Sequence, residues 1–327
     1  MEGEPIERGE FEVSRLIAEH PPRWRDRNKE VVFRIASDPE VPFAGVVRYA
    51  RWPKAGRPPT VTARSRVDVR EGFFDYAPSG QGGEAEWHMN FADPRLFVAY
   101  GSGLLAQDEM QVAEHPVLGS LREALLARGP EPMTCGDWGD PTPVTVTGVQ
   151  RRCAIETSPD AAAGRPRGLY GNAFARASEQ EVRAATRPLS PPTLSRILAI
   201  AAPAGGRGPY TRSELQDVLG TAHSGFTAAR RESEALSGAG RRTIVHTGFW
   251  GCGAYGGNHT VMTILQSLAA DLAKVDLVFH AGKAGGAAVV TQALADYASI
   301  LDVTHEVSRV LDELERRGHR WGESDGN

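Results

Sequence analysis

The sequence lacks several features that would assign a protein class directly. It has only three cysteines among 327 residues, with no CxxC pair and no histidine at metal-ligand spacing, so neither a zinc site nor a disulfide framework is predicted. No run approaches the roughly eighteen apolar residues that a membrane-spanning helix needs. The acidic first residues also lack the apolar core of a signal peptide. We therefore expect a cytoplasmic protein with no metal, no cofactor and no membrane partner.

Excess positive charge is missing as well. The formal net charge is −4, so no global basic field draws the chain to nucleic acid or to an anionic membrane. The composition, 41% hydrophobic and 24% charged, is enough for one large core. We expect a single elaborated α/β domain that recognises any anionic ligand locally.

The most informative segment present is Thr247–Asn258, with five glycines in twelve residues. The short β-branched stretch Arg242–Thr247 precedes it, and Thr260–Ala273 follows with apolar residues at helical spacing. This order predicts a strand, a glycine loop and a helix. Glycines let a backbone approach a ligand closely, and free N–H groups of the loop and of the first helical turn then favour an anion. The predicted ligand is a diphosphate.

The segment Gly251–Gly256 also satisfies GxGxxG, the fingerprint of dinucleotide-binding Rossmann folds. Asp276 lies at nearly the distance expected of the ribose-binding acid. Too few residues follow Asp276 to complete a nucleotide-binding half, and no residues for a nicotinamide pocket are evident. A Rossmann oxidoreductase is therefore the less favoured interpretation.

The complete loop, with Trp250 before Gly-Cys-Gly, closely resembles the TGNWGCGAFGGD segment of poly(ADP-ribose) glycohydrolases, which have the macrodomain fold. Further segments resemble that family in the right order, over roughly residues 60 to 303. The resemblance is carried by the strand Val67–Gly72, by Met89–Asp93 for VDFAN, by Gln107–Met110 for QEE, by Leu169–Gly171 for YxGY, by Arg196–Ala202 for IxAIDA and by Tyr210–Leu215 for the Y/FT-x-x-E-I segment.

This resemblance implies a three-layer α/β/α macrodomain with a mixed central sheet. We expect residues 1–59 to form an N-terminal extension packed on the core and residues 60–327 to form the macrodomain. Within the extension, Phe11–Ala18 is a candidate amphipathic helix, whereas Val31–Ile35 and Val46–Tyr49 have the composition of strands. The tail Gly322–Asn327 is expected to be frayed.

The resemblance also implies the catalytic residues. Adjacent acids at a helix start would ordinarily be explained by the helix dipole. In these glycohydrolases, however, the last Glu of QEE protonates the departing oxygen and then activates water, and Glu109 occupies that position. Asp108, where the family has Glu, is expected to orient the ribose. One carboxyl group suffices because cleavage passes through an oxocarbenium-like transition state that chiefly needs a proton on the leaving oxygen.

The remaining expected ligand contacts come from the same motifs. The backbone of the glycine loop is expected to clamp the diphosphate, and Tyr255 to lie against the ribose or the diphosphate. The predicted ligand-binding residues are Asn90, Asp93, Gln107, Tyr170, Gly248, Phe249, Gly251, Cys252, Gly253, Ala254, Tyr255 and Gly256.

This chain departs from the family pattern at several positions. The family has a Gly-Gly-Gly run where this chain has Phe97-Val98-Ala99. Bulky side chains cannot follow a glycine backbone around a diphosphate, so we expect them to fill space that a ribose needs. The alternative is a shifted alignment in which Gly101-Ser-Gly103 replaces the glycine run. Phe249 replaces an asparagine of the family, and Asn258 replaces an aspartate but retains the ability to cap a helix.

The resulting hypothesis is an ADP-ribosyl glycohydrolase that cleaves the glycosidic bond at the terminal ribose of an ADP-ribose conjugate. The conjugate is a poly- or mono-ADP-ribosyl protein or a NAD-derived metabolite, and the altered Phe97-Val98-Ala99 segment favours a smaller conjugate over the polymer. The alternative is a non-catalytic ADP-ribose-binding module, which would keep the glycine clamp without turnover. Neither hypothesis involves direct nucleic-acid binding.

Overall fold

A single mixed β-sheet organises the chain. The computed structural model describes residues 3–38, 40–77, 83–137, 139–202, 205–237 and 240–326. Within these residues eight strands join one sheet in the order β1-β2-β5-β6-β4-β7-β8-β3. The strands are β1 (Glu7–Glu12), β2 (Val46–Arg51), β3 (Val67–Arg70), β4 (Ala85–Ala92), β5 (Val144–Ile155), β6 (Thr186–Ala201), β7 (Thr243–Gly248) and β8 (Asp276–His280).

The sheet has an antiparallel half and a parallel half. Strands β1, β2, β5 and β6 pair antiparallel, whereas β6, β4, β7, β8 and β3 pair parallel. Parallel strands end at the same edge, so β4, β7 and β8 bring the loops that follow them together. Ligands of open α/β sheets bind at that edge.

Helices cover both faces of the sheet. They are α1 (Val13–Glu19), α2 (Arg27–Ala36), α3 (Gln107–Glu114), α4 (Val117–Arg128), α5 (Glu179–Ala185), α6 (Arg212–Ser237), α7 (His259–Ala273), α8 (Gly286–Leu301) and α9 (Val307–Arg316).

Alternate side chains of β6 show how the layers form. Leu198 and Ile200 point into a core shared with residues of α6 to α9. Ile197 and Ala199 point to the opposite face, into a core shared with residues of α1, α3 and α4. A strand buried on both faces requires a helical layer on each side. The expected three-layer α/β/α arrangement with a mixed sheet is confirmed.

The N-terminal region differs from two sequence predictions. The helix predicted over Phe11–Ala18 begins at Val13, because Phe11 and Glu12 belong to β1. Val46–Tyr49 lies in a strand as predicted, but Val31–Ile35 lies in α2, so its assignment as a strand is wrong. Asp26 caps α2 by accepting hydrogen bonds from the backbone of Asn28 and Lys29. Val31, Val32 and Ala36 are buried on one face of the helix, so tertiary packing overrides β-propensity here.

The first two strands extend the central sheet, with β1 paired to β2 and β2 to β5. The boundary at residue 59 stays a prediction. Among the described residues, no helix combines the length and apolar character needed to cross a membrane.

Candidate active site

A cavity of about 1020 Å³ lies where β4, β7 and β8 end. Its wall is strongly acidic, since it includes seven carboxylate side chains and two arginines among the described residues. One of those arginines, Arg151, forms an ion pair with Glu114 at 2.8 Å. The predicted site residues that line the cavity are Asp93, Gln107, Asp108, Glu109, Tyr170, Gly248, Phe249, Gly251, Gly253, Ala254 and Tyr255.

Gln107 fixes the start of α3 to the end of β4. Its side-chain Nε2 donates to the carbonyl of Met89 at 2.9 Å, and its Oε1 accepts from the backbone N–H of Phe91 at 2.7 Å. The amide therefore bonds the strand backbone as a neighbouring strand would. Because Gln107 is the first residue of α3, this contact sets where the next two side chains point. Its observed bonds are those of a positioning residue.

Asp108 and Glu109 lie buried in the first turn of α3, with exposures of 6% and 5%. The side chain of Asn90 donates to Oδ1 of Asp108 at 3.0 Å. The backbone N–H of Ala106 donates to Oε2 of Glu109 at 3.1 Å. These hydrogen bonds hold the two carboxyl groups, and both still line the cavity.

Burial raises the pKa of both carboxyl groups. For Asp108 the adjacent Glu109 charge adds to this rise, whereas the hydrogen bond from Asn90 opposes it. For Glu109 the main opposing influence is the ammonium of Lys29. Lys29 is buried, donates to the carbonyl of Tyr100 at 2.9 Å, and has a pKa that burial lowers to about 8. The site therefore holds a carboxyl group that can exist as the acid near neutral pH.

The glycine loop after β7 is a compact series of turns. The Cys252 N–H donates to the carbonyl of Phe249 at 3.1 Å, and the Gly257 N–H donates to that of Gly251 at 2.9 Å. Gly251 has φ +73°, a backbone conformation that residues other than glycine rarely adopt. Trp250 is completely buried, and its Nε1 donates to the carbonyl of Ile200 at 3.3 Å.

The start of α7 does not present the free N–H groups that we expected there. The side chain of Asn258 accepts from the backbone of Thr260 at 3.1 Å and of Val261 at 3.2 Å. These donors are among those that a bound anion would use. The expectation that the first helical turn presents free N–H groups to a diphosphate is therefore wrong for these two groups.

Phe97 does not fill the cavity. It takes the left-handed conformation, with φ +54°, and its ring is fully buried in the core that contains Leu118 and Ile197. Val98 and Ala99 line the cavity instead. The expected obstruction by Phe97 is therefore wrong: this chain makes the glycine-like turn with a phenylalanine whose side chain points the other way.

Three predicted ligand residues lie outside the cavity wall. Asn90 is fully buried beneath Asp108, which it positions. Cys252 directs Sγ to the carbonyl of Trp250 at 3.7 Å, and burial raises its pKa. Gly256 is covered by the backbone of Gly322, whose N–H donates to the Gly256 carbonyl at 2.7 Å. The positions of these three residues therefore do not favour direct contact with a ligand.

Several cavity residues had no signal in the sequence. Phe73, in the loop after β3, stacks on Tyr170 with ring centroids 6.1 Å apart, and both rings are partly exposed. Lys29, buried in α2 behind the cavity wall, lowers the pKa of Glu109. Asp325 lines the cavity from the C-terminal tail. All three lie outside the motifs, so the motif patterns could not reveal them.

The histidines near the cavity form a buried group on β4, β7 and β8. His246 Nδ1 lies 3.1 Å from His280 Nε2, and its Nε2 lies 3.1 Å from a Glu86 oxygen. The ring of His88 stacks on that of His246 at 4.3 Å. Burial lowers the pKa of His88 and His280, which favours neutral rings. Within the described ranges, no group of three or more His, Cys, Asp or Glu side chains could hold a metal ion.

Comparison with solved structures places this fold. The poly(ADP-ribose) glycohydrolase from Thermomonospora curvata superposes with a TM-score of 0.51 and 18% identity, covering 81% of this chain and 98% of that one. The same enzyme bound to the inhibitor ADP-HPD gives 0.46 and 20%, covering 69% and 78%. A Deinococcus radiodurans variant in complex with ADP-ribose gives 0.42 and 13%, covering 88% and 94%. Only the first score exceeds 0.5, and it supports a shared fold.

Sequence comparison is narrower. No curated protein gives a significant match. The family model described as poly(ADP-ribose) glycohydrolase, macrodomain fold, matches residues 169–286, which include Tyr170 and the whole glycine loop. Over this segment the chain is similar to that family, and the shared fold agrees with this similarity.

Proposed function

We propose that this protein is an ADP-ribosyl glycohydrolase, which hydrolyses the glycosidic bond at the terminal ribose of an ADP-ribose conjugate. The observation that carries the proposal is Glu109, a buried carboxyl group that lines the same cavity as the glycine loop. The family match over the loop supports the ligand class.

The proposed reaction uses Glu109 twice. Its protonated form donates to the departing oxygen as the bond to the anomeric carbon breaks, and the ribose becomes oxocarbenium-like. The resulting carboxylate then takes a proton from the water that attacks the anomeric carbon, which restores the acid. The raised pKa favours the protonated starting form near neutral pH. The bond from the Ala106 N–H keeps the carboxyl group in place between the two steps.

Asp108 is proposed to orient the ribose hydroxyls, and Asn90 fixes its Oδ1. The backbone from Gly251 to Tyr255 is proposed to bind the diphosphate. The cavity wall is acidic, so backbone N–H donors rather than arginine side chains are the proposed source of positive potential around the phosphates.

The conjugate class stays open within this proposal. The ring of Phe97 is buried in the core, whereas Val98 and Ala99 line the cavity. Poly-ADP-ribosylated proteins, mono-ADP-ribosylated proteins and NAD-derived metabolites are therefore all proposed substrates. A cytoplasmic location is also proposed, on the sequence grounds given above. The division into an extension of residues 1–59 and a macrodomain of residues 60–327 is proposed on the same basis.

The test compares wild type with Glu109→Gln. Release of ADP-ribose from automodified polymer and from a mono-ADP-ribosylated protein is measured, together with ADP-ribose affinity by calorimetry. We expect kcat to fall by roughly 10²- to 10⁴-fold with little change in Kd, because the amide cannot supply the proton.

Glu179→Gln serves as the control, since Glu179 is also in the first turn of a helix but is solvent-exposed. Full turnover by Glu109→Gln would refute the assigned mechanism. Tight ADP-ribose binding by wild type without turnover of any conjugate would instead favour the non-catalytic binding module.

A further inference from the structure

The C-terminal tail lies across the glycine loop. The Gly322 N–H donates to the carbonyl of Gly256 at 2.7 Å, and the Asp325 N–H donates to that of Gly253 at 3.3 Å. The carbonyl of Gly326 accepts from the side chain of Asn172 at 3.0 Å. The prediction of a frayed tail is therefore wrong for residues 322–326, and residue 327 lies outside the described residues.

Trp321 anchors this segment. Its ring stacks on Tyr210 with centroids 4.2 Å apart and planes 18° apart, and its Nε1 donates to Glu214 at 3.1 Å. The hydroxyl of Tyr210 in turn accepts from the N–H of Asn258, at the end of the glycine loop. The tail is thus tied to the loop through an aromatic pair.

The loop is shaped to accept the tail. Gly256 has φ +63°, and a methyl group built on it would lie 2.7 Å from the carbonyl oxygen of Gly322. Any side chain at this position would displace the tail. Packing against the tail therefore requires glycine at position 256, independently of phosphate binding.

The tail also places a carboxylate beside the loop. A methyl group built on Gly253 would lie 3.1 Å from Oδ2 of Asp325 and 3.6 Å from its Oδ1. Asp325 lines the same cavity as Tyr170 and Glu109. The carboxylate also contributes to the raised pKa of Tyr170. The anionic group therefore lies where the loop backbone is proposed to receive a phosphate.

We propose that residues 321–326 form an anionic strap that competes with the diphosphate of the ligand for the glycine loop. This inference rests on the proposed function only for the identity of the ligand. The Asp325 carboxylate occupies space beside Gly253, and its charge would repel a diphosphate in a cavity that is already acidic. Ligand binding therefore requires the strap to withdraw Asp325, and the strap lowers the affinity of the resting protein.

The test titrates the full chain with ADP-ribose and, separately, with inorganic pyrophosphate. Asp325→Asn removes the charge and retains the size of the side chain. We expect it to lower the Kd for both ligands roughly fivefold or more, with a difference that shrinks as salt concentration rises. The matched control, Glu323→Gln, changes a neighbouring exposed acid outside the cavity wall and should leave both Kd values unchanged.

Hydrogen exchange gives a second measurement. If the strap withdraws, the backbone N–H groups of Gly322 and Asp325 should exchange faster in the wild-type protein saturated with pyrophosphate. Unchanged or slower exchange would overturn the proposal.

The titration outcomes separate the two proposals. Tighter pyrophosphate binding by Asp325→Asn, without any ADP-ribose binding, would support the strap and overturn the proposed function. Equal ADP-ribose affinity in wild type and variant would overturn the strap alone. Weaker binding by the variant would also overturn it and would make Asp325 a ligand contact. Failure of both proteins to bind either ligand would overturn both proposals.

Discussion

Two neighbouring strand–loop–helix units line the same cavity but differ in their loops and in the starts of their helices. In the first, β4 is joined to α3 by residues 93–106; in the second, β7 is joined to α7 by residues 249–258. The second loop is rich in glycine and its helix start is capped by Asn258. The first carries Phe97 in the left-handed conformation, and its helix starts with two buried acids in the cavity wall.

The difference concerns what a helix start can be used for. At α7 the side chain of Asn258 accepts from the backbone N–H groups of Thr260 and Val261. In the proposed function, the ligand is therefore bound by the loop before the helix. At α3 the N-cap residue is Ala106, and the Glu109 carboxylate accepts from its backbone N–H. The start of α7 is capped by a side chain, whereas the start of α3 carries the two buried acids. In the proposed function, the same supersecondary unit supplies ligand binding in one copy and catalysis in the other.

The largest expected effect comes from Phe97, which tests how the first unit makes its turn. Phe97→Ala should lower the free energy of unfolding by about 3–5 kcal/mol, because a buried ring is lost. Phe97→Gly should be about 1 kcal/mol more stable than Phe97→Ala, because glycine relieves the left-handed backbone. Urea unfolding measures both. If Phe97→Ala proves neutral, the ring does not lie in the core.

The contact between α3 and β4 can be broken next. Gln107→Ala removes both hydrogen bonds to the strand, and a displaced Glu109 should lose roughly 10²-fold in kcat/KM. Gln111→Ala is the comparison variant, because Gln111 is one turn further along α3 and bonds Tyr76 rather than β4. Gln111→Ala should lower kcat/KM less than Gln107→Ala does. Equal losses in the two variants would contradict the positioning role.

The pH dependence tests the electrostatics of the first unit. Protonated Glu109 is lost as pH rises through its pKa, so kcat/KM should fall on the alkaline side. Lys29 lowers that pKa, so Lys29→Met should move the alkaline limb to higher pH. Lys54→Met, which removes an exposed lysine paired with Asp140, should leave the limb in place. A shift to lower pH in Lys29→Met would refute the assignment.

The smallest expected effect concerns the cap of the second unit. Asn258→Ala should cost about 1 kcal/mol of stability, measured by thermal or urea unfolding, with little change in ADP-ribose affinity. Asn258→Asp should keep the cap. A large loss of affinity at unchanged stability would place the phosphate on the helix start and remove the contrast between the two units.

Much of the site could be predicted because its residues lie in continuous motifs. The strand, glycine loop and helix around Gly251 have strong local signals, and Glu109 follows from the resemblance of Gln107–Glu109 to the QEE segment of the family. The same reasoning failed at Val31–Ile35, where β-branched residues suggested a strand. There the buried face of an amphipathic helix decided the outcome, because packing energy exceeds intrinsic propensity.

The sequence by itself determined the local units: a glycine-rich turn between strand and helix, and two acids at the start of another helix. Only the tertiary structure decided where their neighbours lie. In the folded chain, Phe97 packs in the core, Lys29 lies near enough to Glu109 to lower its pKa, and Asp325 lies beside the glycine loop. Local backbone chemistry is encoded within a few residues, whereas these contacts depend on segments that meet only when the whole sheet has formed.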